Sequence, residues 1–168
     1  MRKSFLILLF LSSLNALGQQ EMSTLLKKYN KQTVPYITVS ELKDNLDDYL
    51  ILDTRRKEEY EVSHLPGAIW VSEKLNETNY AFAKAKKDKP IVVYCTVGVR
   101  SEDFGEALQK RGFTQVHNLH GSILSWKNAG LTVENHKGQQ TDSVHVYSKE
   151  WGHYLKNGIQ VTKTAKRE

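Results

Sequence analysis

A single cysteine among 168 residues excludes an internal disulfide framework and a paired-cysteine zinc site. No internal repeat and no low-complexity block is present, which excludes a solenoid or a compositionally biased linker protein. The longest apolar run, Phe5–Leu11, falls well short of the roughly 20 residues that a membrane span needs. Nor is there a charge excess within residues 19–135, where 16 Lys/Arg face 16 Asp/Glu. The net charge of +5 lies at the two ends, +2 in residues 1–18 and +3 in residues 136–168. A nucleic-acid reader concentrates basic residues on its folded domain, so this distribution gives no support for one. Five histidines, His117, His120, His136, His145 and His153, lack a compact ligand spacing, and no metal or other cofactor is expected.

What is present begins with a leader. Arg2 and Lys3 precede the apolar run, and Ala16-Leu17-Gly18 closes it with small residues. This is the layout of a secretory signal, cleaved after Gly18, with export to a periplasm or the outside as the expected destination. The remaining chain divides into an N-terminal extension (19–34), a domain (35–133) and a C-terminal extension (134–168). At 168 residues the chain is long enough for one domain with a real core.

Within 35–133, short apolar runs alternate with amphipathic stretches. Strands are expected at Ile37–Val39, Tyr49–Asp53, Ala68–Val71, Ile91–Tyr94 and Gln115–Leu119. Helices are expected from Ser40 to about Asp48, over Arg56–Val62, Tyr80–Lys87, Ser101–Arg111 and Ser122–Ala129. That alternation implies an α/β fold with a mainly parallel sheet. Ahead of it, Leu25, Leu26 and Tyr29 suggest a short amphipathic helix. Behind it, Lys137–Ser143 reads as loop, Val144–Tyr147 as a short strand, and Ser148 caps a helix reaching Asn157-Gly158. Trp151, Tyr154 and Leu155 form its apolar side, expected to pack back on the domain.

The chemistry concentrates in Cys95-Thr-Val-Gly98-Val-Arg100-Ser101. A β-branched strand ends at a cysteine, a loop with a central glycine follows, and a helix starts beyond it. Glycine lets successive N–H groups turn inward, the helix start adds its positive end, and Arg100 adds a cation. All three favour a thiolate, at the carboxyl end of a strand where α/β folds place their sites.

The sequence here resembles the rhodanese family of sulfurtransferases over about residues 35–132. The early motif is Asp53-x-Arg55, Glu59-Tyr60, and His64-x-x-Gly67-Ala68; the closing one is Gly105-x-x-Leu108, Arg111-Gly112-Phe113, and Gly121 through Trp126. The resemblance implies a rhodanese-like fold with helices on both faces of the sheet. It implies a Cys95 persulfide that takes sulfur from a donor such as thiosulfate and passes it to cyanide, a thiol or a protein acceptor. Thr96, Val97, Gly98, Val99, Arg100 and Ser101 would bind the substrate, chiefly through backbone N–H groups, with Arg100 orienting an anionic donor. Asp53 and Arg55 would buttress the site as an ion pair, and His64 would serve structurally. Glu59 is either solvated or paired near Arg55, and Trp126 belongs to the core.

Some positions depart from the family pattern. Ser63 and Ser122 stand where glycines are usual, and Thr96-Val97 where thiosulfate users carry a polar or basic residue. Four residues separate Cys95 from Arg100, whereas the related phosphatases and arsenate reductases have five. A phosphatase or arsenate reductase using the same cysteine is the alternative enzyme. A non-enzymatic persulfide carrier is the alternative outside catalysis.

Overall fold

The computed structural model describes residues 18, 20–75 and 85–163. Its main strands are β1 (Tyr36–Ile37), β2 (Leu50–Asp53), β3 (Ile69–Trp70), β4 (Ile91–Tyr94) and β5 (Val116–Leu119). They form one sheet in the order β1-β5-β4-β2-β3, parallel at every pairing. The central strand β4 has the β-branched run Ile91-Val92-Val93, and all four of its residues are buried. A strand covered on both faces has no need of a polar side, so its sequence does not alternate.

Successive side chains of β4 supply the two halves of the core. Ile91 and Val93, with Leu52 of β2, pack against Phe104 and Leu108 of helix α4 (Arg100–Lys110). Val92 and Tyr94 belong to the opposite cluster, with Leu42 of helix α2 (Val39–Asp44) and Ile123, Leu124 and Trp126 of helix α5 (Ser122–Asn128). Helices therefore cover both faces of a parallel α/β sheet, Trp126 is a core residue, and helix α3 (Lys57–Val62) follows β2. Each fully buried leucine contributes about 1.5–3 kcal/mol of hydrophobic stabilisation.

Both extensions join that second cluster. Helix α1 (20–29) contributes Met22, Leu25 and Leu26, and the tail contributes Val144, Val146 and Leu155 beside Val133 at the end of the domain. The tail comprises β6 (Val133–Glu134), β7 (Gln140–Thr141), β8 (Ser143–His145), helix α6 (Lys149–Gly152) and β9 (Ile159–Val161). β6 and β7 form an antiparallel hairpin, and β8 and β9 pair in parallel. The edge of the Tyr29 ring meets Trp151, so the two extensions touch.

Several boundaries differ from the sequence expectations, each for a local reason. The first helix of the domain is capped by Thr38 rather than Ser40. Thr38 has Glu41 at the third helical position, which completes a reciprocal capping box. The same position after Ser40 is Lys43, which cannot accept the N–H. That helix stops at Asp44, and a 3-10 turn, Leu46–Asp48, completes the passage to β2. Gln140–Thr141 is a strand rather than loop because the hairpin partner supplies its ladder. Ser148 does precede a helix, but α6 is a single turn ending at Gly152. The stretch expected as a helix at Tyr80–Lys87 lies mostly outside the described residues; its described end, 85–87, is not helical.

Candidate active site

Cys95 leaves the carboxyl end of β4 and is only 1% exposed. The backbone after it folds around the sulfur. Gly98 sits at φ 113°, a region that glycine alone enters freely, and its N–H donates to Cys95 Sγ at 3.2 Å. Helix α4 starts at Arg100 with Val99 at its N-cap, and no side chain caps it. Of its first-turn N–H groups, that of Glu102 donates to the Val99 carbonyl at 3.2 Å, and that of Ser101 serves the sulfur. Burial opposes the Cys95 thiolate, but the Arg100 charge and the N–H groups of Ser101 and Gly98 outweigh it, so the thiol pKa lies below its ordinary value. The single proton of the Ser101 hydroxyl is committed to Asn118 Oδ1 at 2.8 Å, so we assign the stabilisation to the cation and the backbone.

The loop is braced from three sides. Its carbonyls at Cys95 and Thr96 accept the N–H groups of Ile123 and Leu124, at the start of α5. The Gly98 carbonyl accepts Nδ2 of Asn30, just after α1, at 2.8 Å and Nδ2 of Asn118 on β5 at 2.9 Å. Cys95 N–H donates to Ser122 Oγ at 3.1 Å. Ser122 has φ 51°, a left-handed conformation that explains why a glycine is usual here. Ser63 is extended, at φ −167°, so its position makes no demand for glycine.

Beneath the loop lies the Asp53–Arg55 pair, fully buried and closed at 2.6 Å. Tyr94 Oη donates to Asp53 Oδ2 at 2.6 Å, and Arg55 Nη2 donates to the Ser63 carbonyl at 2.6 Å. Burial alone would lower the Arg55 pKa, but Asp53 holds it above the ordinary value. These are the two residues expected to buttress the site, and they sit at the end of β2 beside Tyr94, the residue before Cys95. His64 stacks on Tyr60 with ring centroids 3.9 Å apart and shares a hydrogen bond of 3.0 Å between its Nδ1 and the Tyr60 carbonyl. Its backbone bridges Glu134.

Thr96 and Val97 are buried, Val97 within the core cluster, while Val99 is half-buried. Arg100 differs most from its expected setting. Expected to orient an anionic donor, it instead donates through Nη1 to Glu59 at 2.8 Å and Glu73 at 2.7 Å. Nη2 donates to Glu59 at 2.9 Å and to Thr96 Oγ1 at 2.9 Å. Glu59 is buried, not solvated, and its partner is Arg100. Burial would raise the Glu59 pKa, but the Arg100 hydrogen bonds bring it below the ordinary carboxylate value. Sequence reasoning missed Asn30, Asn118, Glu73 and Tyr147. Tyr147 lies with its ring centroid 4.7 Å from the Arg100 guanidinium carbon. No local pattern marks these residues, because each meets the loop across at least 17 positions of the chain. Among the described residues, no group of three His, Cys, Asp or Glu side chains could hold a metal ion, and no helix is long and apolar enough to cross a membrane.

Comparison with known proteins agrees with this geometry. The model of the rhodanese-like domain matches residues 38–129. A protein named thiosulfate sulfurtransferase GlpE, from Coxiella burnetii, is 37% identical over 91 residues, covering 54% of this chain and 82% of the relative. A tRNA uridine(34) hydroxylase from Streptococcus thermophilus is 36% identical over 108 residues, and there the matched part is 56% of this chain but only 31% of the relative's length. Among solved structures, a rhodanese-related protein from Thermoplasma volcanium superposes with a TM-score of 0.53 at 27% identity, over 59% of this chain and 96% of that one. The rhodanese-like domain of the Anabaena Alr3790 protein gives 0.55 at 26% identity, over 60% and 79%. With more than half its length matched by the family model, and a cysteine loop at the end of the central strand of a parallel sheet, the chain belongs to the rhodanese-like domain family.

Proposed function

We propose that this protein is a sulfurtransferase that carries a sulfane sulfur on Cys95. The supporting observation is the sulfur's setting: a thiol with a lowered pKa, at the uncapped start of α4, facing the Gly98 N–H at 3.2 Å. Such a cradle stabilises one negative charge on one or two sulfur atoms. With thiosulfate, the Cys95 thiolate attacks the outer sulfur, the S–S bond of the donor breaks, and sulfite leaves with the electron pair. The product, Cys95–S–S⁻, then gives its outer sulfur to cyanide, which departs as thiocyanate and restores the thiolate. Splitting transfer into two half-reactions gives ping-pong kinetics. The short loop favours a single delivered sulfur over a tetrahedral oxyanion. We further propose that residues 1–18 are a cleaved leader and that the protein acts after export.

Intact mass of the protein recovered from an exporting host tests both points. The chain is expected to begin at Gln19. After millimolar thiosulfate it gains one sulfur atom, which cyanide removes, and Cys95→Ser gains none. A thiol that alkylates yet takes sulfur from no donor would sink the sulfur-transfer reading; an intact leader would sink the proposed cleavage.

A further inference from the structure

The tail outside the matched family region reaches the site through two neighbouring side chains, His145, whose Nδ1 lies 3.8 Å from Glu59 Oε1, and Tyr147. Val144 and Val146 are fully buried, and they fix the backbone on either side of His145. Tyr147 follows at φ 65°, a strained conformation for an aromatic residue. Its N–H donates to His145 Nδ1 at 3.1 Å, which holds the turn. The ring stays 42% exposed, yet it lies over Arg100 at 4.7 Å and near Arg56 at 5.7 Å.

An arginine has five N–H donors. Glu59, Glu73 and Thr96 take four of those on Arg100, and the Tyr147 ring lies over its face. The formal charges around the loop also cancel: Arg55 pairs with Asp53, Arg100 with Glu59 and Glu73, and Arg56 with Glu73. An oxyanion donor arriving here meets no open guanidinium fork and two carboxylates. A donor whose sulfane sulfur sits on an organic thiol needs no such fork.

We infer that Tyr147 is a specificity-determining residue, which keeps Arg100 closed to oxyanion donors and turns the site toward sulfur carried as an organic persulfide. This rests on the sulfur-transfer reading above. The step balances: the Cys95 thiolate attacks the outer sulfur of R–S–SH, the donor S–S bond breaks, and R–S⁻ leaves as Cys95–S–SH forms. Tyr147 forms no bond to the reacting sulfurs; it acts through Arg100.

The experiment compares loading of Cys95 from thiosulfate and from glutathione persulfide. It uses wild type, Tyr147→Phe and Tyr147→Gly, the glycine being chosen because it accepts the positive φ. The wild type is expected to favour glutathione persulfide. Tyr147→Gly should raise kcat/KM for thiosulfate about fivefold to tenfold, through KM, by removing one cation–ring contact. Its rate with glutathione persulfide should stay within about twofold, and Tyr147→Phe should behave as wild type. Glu73→Ala, which removes one acceptor and one negative charge from Arg100, should shift the preference in the same direction. Equal changes with both donors, or an unchanged preference in Tyr147→Gly, would overturn the role of Tyr147 while leaving sulfur transfer intact. Loading of the wild type from neither donor would instead overturn the sulfur-transfer reading itself.

Discussion

Cys95 is buried, and burial works against a charged sulfur, so the thiolate depends on what surrounds it. The full charge with that effect is Arg100, which is also the counter-ion of buried Glu59. Those two duties make a single substitution ambiguous. Arg100→Gln leaves Glu59 buried without its cation and is expected to cost about 3 kcal/mol of stability. Glu59→Gln combined with Arg100→Gln keeps a neutral hydrogen-bonding pair and should recover most of that loss. In both variants the pH midpoint for alkylation by iodoacetamide should lie above that of the wild type. An unchanged midpoint in the folded double variant would assign the lowered thiol pKa to the backbone alone. At this scale Cys95, Gly98, Asp53 and Arg55 were legible, because each belongs to a short ordered motif. The setting of Arg100 was not: its partners Glu59 and Glu73 lie 41 and 27 positions away in the chain.

The cysteine loop is positioned by the start of α4, the start of α5 and the segment after α1. Gly98 is where these meet. Its N–H faces the sulfur, its carbonyl is held by Asn30 and Asn118, and a Cβ there would come within 3.2 Å of Leu26 Cδ2. Gly98→Ala therefore adds strain at φ 113° and pushes against α1. It should cost about 1–3 kcal/mol and slow sulfur loading of Cys95 at least about tenfold, with far-UV circular dichroism unchanged. Loading at the wild-type rate would mean that the Gly98 N–H is dispensable. The sheet strands flanking this loop were readable because buried parallel strands advertise themselves as compact apolar runs, as in Ile91–Tyr94. Helix α4 was readable from its acidic first turn and the Lys110-Arg111-Gly112 end. The tail was not. Its strands are two or three residues long and exist through pairing, so Gln140–Thr141 has no period of its own to detect.

Taken as a whole, the molecule binds its two extensions onto one face of the sheet, and a histidine stands at each junction. His120, after β5, shares a hydrogen bond of 3.2 Å with Ser23 of α1 and meets the Tyr36 ring edge-on. His145, on β8, accepts the Tyr147 N–H and faces Glu59 at 3.8 Å, with Glu58, Arg55 and Arg100 also acting on it. Burial lowers both pKa values; at His145 it outweighs the opposing pull of Glu59. In the unfolded chain each would titrate near its ordinary value of about 6.5. The unfolded state therefore takes up these protons first as pH falls. The stability they contribute is fully present above about pH 6.5 and is lost as pH drops toward and through their folded values. Each group that titrates only in the unfolded chain removes up to about 1.4 kcal/mol per pH unit. Between pH 7.5 and 5.5 the ordinary carboxylates stay ionised, so the histidines dominate the change. Urea unfolding at those two pH values should show a clear fall in midpoint for the wild type. A His120→Gln and His145→Gln double variant should show a markedly smaller fall, because both junction protonation sites are gone. If the double variant loses as much as the wild type, acid acts elsewhere, and these histidines do not couple the extensions to the domain.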